Sequence, residues 1–301
     1  MSGSGPEEAF ERHRNLLFAV AYRMLGTVAD SEDVVQDVWL KWSAADRRGV
    51  EDPKAYLVRI ATNLAVDRLR SARAQRETYV GPWLPEPLLT TPDVAEEVEL
   101  AESVSMAMLV VLETLSPLER AVFVLREVFG LPHGEIAEAL GRSEASVRQL
   151  GHRAREHVQA RRPRFDAGPD ERRRVTDRFF AAALGGDLNE LMEVLAPDVT
   201  LWTDGGGKVR AALRTISGAG KVARWLAAVA DGRPYAGVHP RDMWMDPAWI
   251  NGVPGLVIQG PAGPVGILTV DIAPDGRIAA IQFVANPDKL RTVAGGREFT
   301  I

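Results

Sequence analysis

Residues 132–158, PHGEIAEALGRSEASVRQLGHRAREHV, hold a helix, a tight turn and a second helix of the lengths that a helix-turn-helix unit needs. Ile136, Ala137 and Leu140 recur on one side of the first helix, and Gly141 can end it in a left-handed conformation. Ser143 can cap the second helix, whose inward positions are expected at Ala145, Val147, Leu150 and Ala154. If that helix enters a DNA major groove, its early outward residues Glu144, Ser146, Arg148 and Gln149 face base edges or neighbouring phosphates. Arg and Gln suit this task because their paired donors, or donor and acceptor, match base edges there. Arg153 and Arg155 are expected to hold phosphate. A plain helical hairpin shows the same helix-glycine-helix pattern, so the pattern alone leaves both readings open.

The chain around this unit has 301 residues, 46% apolar, with a net charge of −5. That charge argues against a general nucleic-acid binder, because bulk affinity for phosphate scales with cationic contacts. DNA contact then needs a local basic surface. Residues 142–164 supply one, with Arg148, Arg153, Arg155, Arg161 and Arg162 against Glu144 and Glu156; a solvated helix face is the alternative. The absence of cysteine excludes disulfides, thiolate catalysis and thiolate zinc sites. None of the five histidines forms an HExxH pair, so neither metal nor cofactor is expected. The N-terminus lacks a basic start followed by an apolar run, and no stretch approaches the ~20 apolar residues of a membrane span. A cytoplasmic protein without membrane contact is expected.

Working outward, residues 6–79 read as a helical bundle. A first helix carries Phe10, Leu17, Val20, Ala21 and Met24 and stops at Gly26. A second, capped by Asp30 or Ser31, turns Val34, Val35, Val38 and Trp42 inward. A third opens at Asp52-Pro53 with the stripe Tyr56, Leu57, Ile60, Ala61 and Leu64. Opposite that stripe Arg59, Asn63, Asp67 and Arg70 share one exposed face, although Asp67 can equally pair with Arg68 or Arg70. Residues 80–93, VGPWLPEPLLTTPD, form a proline linker, in which Trp83 and Leu84 either anchor between domains or ride on a stiff spacer. Residues 94–163 make a second helical block, in which Ser116 caps a helix and Arg120 and Arg126 face a partner or solvent.

Residues 172–301 change character: helices first, then short strands between glycine and proline turns, as in an α+β domain with an antiparallel sheet. Its DGGGK turn is no phosphate loop, because Val209 stands where a magnesium-supporting hydroxyl belongs. Asp204, His239 and Asp242, with Trp202, Trp225, Trp244 and Trp249 as lining, are the polar candidates for catalysis or for binding a small molecule. Spacing does not show whether they converge.

The two helical blocks resemble extracytoplasmic-function sigma factors over residues 6–159. AYRMLGTVADSEDVVQDVWLKW (21–42) and DPKAYLVRIATNLAVDRLRSAR (52–73) are similar to region 2 of that family, and LSPLERAVFVLREVFGLPHGEIAEALGRSEASVRQLGHRAR (115–155) to region 4. The resemblance implies a non-enzymatic subunit that recruits core RNA polymerase and reads promoter DNA. It implies that Asp33, Gln36, Asp37 and Lys41 contact polymerase, where an acidic solvated face is the ordinary alternative. Asn63 and Asp67 would meet an exposed −10 base on the non-template single strand. Arg59, Arg68, Arg70 and Arg73 would serve the same element, chiefly through phosphate, and the helix-turn-helix would read double-stranded −35 DNA. Trp42 is expected in the core.

A second resemblance, to a sigma-J-like subgroup with a fused SnoaL-like, nuclear-transport-factor-2-like cone domain, rests on three segments. These are Trp83, Leu84, Pro85, Glu86 and Pro87; Asp204 to Lys208; and Asn286, Pro287, Asp288, Lys289 and Leu290. The fold it implies is two all-α domains followed by an α+β cone. It also implies that the cone regulates the sigma portion and contacts the polymerase system, in place of a separate anti-sigma protein. A ligand-responsive regulator, or an isomerase or cyclase built on the cone, are the other readings.

Overall fold

The computed structural model describes residues 6–46, 49–90, 105–161, 169–185, 188–230 and 234–299. The last linker residues 91–93, the start of the second helical block and Arg162 fall outside them.

Three helices, α1 (Pro6–Leu25), α2 (Val28–Ala44) and α3 (Pro53–Glu77), make the first bundle. Gly26 stops α1 at φ +72°, with its amide donating to the Tyr22 carbonyl, and a Cβ there would lie 2.8 Å from the Trp83 ring. Helix α2 begins earlier than expected. Ser31 is buried inside it and donates back to the Thr27 carbonyl, while Asp30 accepts from the Thr27 hydroxyl. The amide at its start, that of Val28, is instead satisfied at 2.8 Å by the carboxylate of Glu86, far away in the linker.

The second block contains α4 (Met106–Glu113), α5 (Pro117–Phe123) running into a π turn at Val124–Val128, α6 (His133–Leu140) and α7 (Glu144–Gln159). Its caps are local: a Ser116–Glu119 capping box, left-handed Gly141 after α6, and Ser143 accepting from the Ser146 amide. Val147, Leu150, Ala154 and Val158 are buried, but Ala145 is exposed. It stands two residues before Val147, about 200° round the helix, and belongs to the opposite face. Both helical blocks share one continuous apolar core, joining Leu17, Trp42 and Leu57 to Leu112, Leu125, Ile136 and Val147.

Helices α8 (Pro169–Gly185), α9 (Leu188–Val194) and α10 (Ala219–Ala230) pack on a sheet built from β2 (Leu195–Asp204), β3 (Ile216–Ser217), β4 (Trp244–Ile250), β5 (Val253–Gly260), β6 (Gly263–Ile272) and β7 (Ile278–Val284). A short α11 (Arg291–Ala294) leads to β8 (Glu298–Phe299). The linker contributes β1 (Leu89–Thr90), and the order is β3-β2-β7-β6-β5-β4-β1-β8. The sheet is mixed rather than antiparallel, because β2 runs parallel to β7 and β1 parallel to β8. Period-two alternation splits the strands between two apolar layers. Leu201, Leu256, Leu268 and Phe283 face α8–α10, whereas Val257, Ile267 and Val284 face Leu84 of the linker and Met106 of α4. Trp225 and Trp202 pack on these opposite layers and Trp244 is half exposed, so the tryptophans do not line one pocket.

Candidate functional site

Helix α7 presents Glu144, Arg148, Gln149 and Arg153 to solvent, with Ser146 and Arg155 partly covered. Gly151 lets it cross close to α5, where a Cβ would lie 3.3 Å from Val122. Arg148 pairs with Glu144 at 2.5 Å, Arg153 with Glu119 at 3.3 Å and Arg155 with Glu127 at 2.8 Å. Exposed pairs of this kind are worth about 0–1 kcal/mol, so an arginine on this face can exchange its partner at little cost.

The outward face of α2 carries Asp33, Gln36, Asp37 and Lys41 together with Leu40, which is 57% exposed. Trp42 is buried, and Trp39 packs on Phe10 with ring centres 5.1 Å apart. The face expected on α3 is divided. Asp67 pairs with Arg70 at 2.8 Å, the ordinary helix pair. Asn63, though exposed, donates its amide to the Ala139 carbonyl at 2.9 Å, and Arg59 lies 3.9 Å from Glu138, so the end of α6 contacts this part of α3. Arg68 sits about 100° from Asp67 and turns to α2, donating to Asp33 at 3.0 Å and Asp37 at 2.8 Å. Arg73 donates to the Glu113 carbonyl. Arg68 and Arg73 therefore make internal contacts where phosphate contacts were expected.

Behind that face lies an arginine seam. Glu113 pairs with both Arg76 and Arg120, and Arg120 is only 1% exposed rather than facing a partner or solvent. Its Nε donates to the Arg23 carbonyl at 2.8 Å, and Arg76 donates to the Leu25 carbonyl at 2.6 Å. Arg126 caps the carbonyl of Leu131 at 3.0 Å.

The three segments of the subgroup meet at one buried carboxylate. Asp204 Oδ1 accepts from the Tyr79 hydroxyl at 2.5 Å and the Gly206 amide at 3.0 Å. Oδ2 accepts from the Leu84 amide at 2.8 Å and from Lys289 at 2.6 Å. Lys289 also donates to the Leu84 carbonyl, and Trp83 lies between the guanidinium of Arg76 at 3.6 Å and the ammonium of Lys289 at 4.2 Å. Asn286 donates to Tyr79, and any Cβ on Gly206, at φ +60°, would overlap the Asn286 amide. Lys208 pairs with Asp288 at the surface. Glu86 binds the Val28 amide and the Thr292 hydroxyl, and burial pushes its carboxyl pKa up. Pro85 and Pro87 are buried beside it, and Asn251 ties Leu88 and Tyr22 to the cone. Tyr22, Tyr79, Glu113, Asn251 and Thr292 carry no local signal that marks them for these roles. His239 accepts from the Arg241 amide and Asp242 lies 3.8 Å from Arg241, each bound within its own short turn.

Burial lowers the Lys289 pKa to about 8, against the pull of Asp204. Between about pH 8 and the unfolded value of 10.5 the unfolded chain binds more protons, so this group's contribution to stability is smallest below pH 8 and rises through that window. Relative to Lys289→Met, the wild-type chain should gain about 2 kcal/mol between pH 8 and pH 9.5, read by thermal melting. A constant difference across that range would overturn the expectation.

Residues 9–75 match the Sigma-70 region 2 family and residues 105–158 the Sigma-70, region 4 family. The chain is 40% identical over 290 residues to the ECF RNA polymerase sigma factor SigJ of Mycobacterium tuberculosis, covering 93% of this chain and 91% of that one. It is 31% identical over 300 residues to the probable ECF RNA polymerase sigma factor SigI of the same organism, covering 96% and 97%. Its fold matches the crystal structure of the M. tuberculosis extracytoplasmic function sigma factor SigJ with a TM-score of 0.74 at 36% identity, covering 94% of this chain and 97% of that one.

Proposed function

The chain belongs to the extracytoplasmic-function RNA polymerase sigma factors, promoter-specific initiation factors that work with core RNA polymerase on promoter DNA, and on that premise we propose how its surfaces divide the work. Glu144, Ser146, Arg148 and Gln149 read −35 base edges, and Arg153 and Arg155 hold the flanking phosphates. Asp33, Gln36, Asp37 and Lys41, joined by the exposed Leu40, dock on polymerase. Arg59, Asn63, Asp67, Arg70 and Arg73 engage the −10 element and its non-template strand.

The closed arrangement is the resting state. The observation that carries this reading is the hydrogen bond from Asn63 to Ala139, which engages the side-chain amide of a residue proposed to meet the −10 base with the second helical block. The cone and linker hold that closure through Trp83 to Pro87, Asp204, Lys208, Asn286, Asp288 and Lys289. No reaction is assigned to Asp204, whose two oxygens already accept four hydrogen bonds.

A chain without cysteine allows a direct test. Labels on Ser43→Cys and Gln159→Cys, exposed ends of α2 and α7, should move apart when core polymerase is added, while the same mixture gives promoter-specific run-off transcript. An unchanged distance in a transcribing complex would overturn the closed resting state. Separately, Arg148→Ala should weaken promoter binding by about 1–3 kcal/mol, read by fluorescence anisotropy, without moving the melting temperature. Equal loss of folding and binding would assign Arg148 to the scaffold.

A further inference from the structure

We infer that Arg68 couples polymerase docking to strand capture: Asp33 and Asp37 hold its guanidinium in the free chain, and a polymerase that takes those carboxylates releases Arg68 to the phosphate backbone of the displaced strand. The inference rests on the proposed division of surfaces, since it needs α2 to meet polymerase and α3 to meet DNA.

The geometry is that of a shared clasp. Asp33 and Asp37 stand one turn apart on α2, and each accepts from a different terminal nitrogen of Arg68. The three side chains are 59%, 39% and 31% exposed in that order, so the clasp lies at the surface seam of α2 and α3 and a second partner can reach it. Two carboxylates around one guanidinium leave a net charge of about −1, which repels phosphate. A lysine or arginine of polymerase docked on Asp33 and Asp37 cancels that excess. The neighbouring charges on α3, Asp67 and Arg70, already pair with each other, so they neither hold Arg68 nor compensate for it.

Magnitude supports exchange over permanence. A half-exposed ion pair is worth about 0–1 kcal/mol, so trading Asp33 and Asp37 for phosphate costs little once polymerase has taken them. The buried pairs of Glu113 lack this property, since they cannot be left unpaired cheaply. Coupling of this kind is reciprocal: strand binding that draws Arg68 away bares both carboxylates and tightens polymerase binding by the same factor.

The test titrates the full-length chain against a short fluorescent single-stranded DNA over a range of salt. Asp33→Asn with Asp37→Asn, which mimics polymerase capture, should raise affinity about tenfold and steepen the slope of log affinity against log salt by about 0.7, one further phosphate contact. Glu7→Gln with Glu11→Gln removes the same charge from α1 and should do neither, which separates release of Arg68 from a general loss of negative charge. In an Arg68→Gln background the Asp33/Asp37 gain should vanish, and Arg68→Lys should retain part of it. A gain that survives Arg68→Gln, or one no larger than the Glu7/Glu11 control, overturns the coupling. Core binding and promoter run-off by the wild-type chain form a separate arm. Failure there sinks the division of surfaces, whereas success there with no Arg68-dependent change in slope sinks only the coupling.

Discussion

Replacing Asp204 with alanine is expected to undock the linker from the cone at a cost of about 3–5 kcal/mol, the range for breaking one side of a buried ion pair. Four donors converge on that carboxylate: Tyr79, Leu84, Gly206 and Lys289. Removing it leaves the Lys289 amine, 8% exposed, without its anionic partner where water cannot replace it, and a pKa already lowered to about 8 falls further. The Trp83 ring then loses the fixed cation on one of its faces. The expected readings are a lower melting temperature and faster proteolysis within residues 80–90. Asp204→Asn should fall between, because it keeps an acceptor for Tyr79 and Gly206 while losing the charge. Adding Lys289→Met to Asp204→Ala should recover part of the loss, since it removes the buried amine that has lost its anionic partner. A double variant as unstable as the single would mean that the ion pair does not organise this junction.

Apart from Ala145, whose exposed position follows from helical phase alone, the departures from expectation are long-range. Gly141, Ser143 and Ser116 obey rules spanning at most four residues, and the structure places each where those rules put it. The start of α2 shows the limit. Asp30 and Ser31 have the right chemistry for a cap, but Glu86 supplies it from 58 residues away, and Ser31 is left free to sink into the helix. The linker read as a spacer or an anchor because proline and tryptophan are local signals. That it also donates a strand, Leu89 pairing with Ile250, depends on a sheet edge formed more than a hundred residues later. On α3, spacing put Asn63 on an exposed face, and the family resemblance put Asn63 and Arg68 among the DNA contacts. Spacing specifies the side of the helix but not what packs against that side, and here the occupants are Ala139 and the Asp33–Asp37 pair. The candidate surfaces were therefore visible as residue types, and their present partners were not.

Glu113 should hold the two helical blocks shut, and Glu113→Ala is expected to lower stability while raising access to DNA. Arg76 comes from the first block, Arg120 and Glu113 from the second, and the carboxylate bridges the two guanidiniums. Burial already pushes the Arg76 pKa down against the pull of Glu113, a sign that its charge is tolerated there because of that partner. Without Glu113, Arg120 stays charged at 1% exposure beside Arg76, at a cost of about 3–5 kcal/mol. The guanidiniums regain water most directly if the blocks part along the seam, so the loss falls on the closed state more than on either block's own packing. A shift of about 3 kcal/mol raises the open population roughly a hundredfold. The Ser43–Gln159 label distance should then lengthen without polymerase, and affinity for −10 single strand should rise as Asn63 leaves Ala139, even as the melting temperature falls. Stability and binding moving in opposite directions is the mark of a latch. If Glu113→Ala lowers the melting temperature with no change in label distance or DNA affinity, the seam only holds the fold together, and closure must depend on the cone and linker alone.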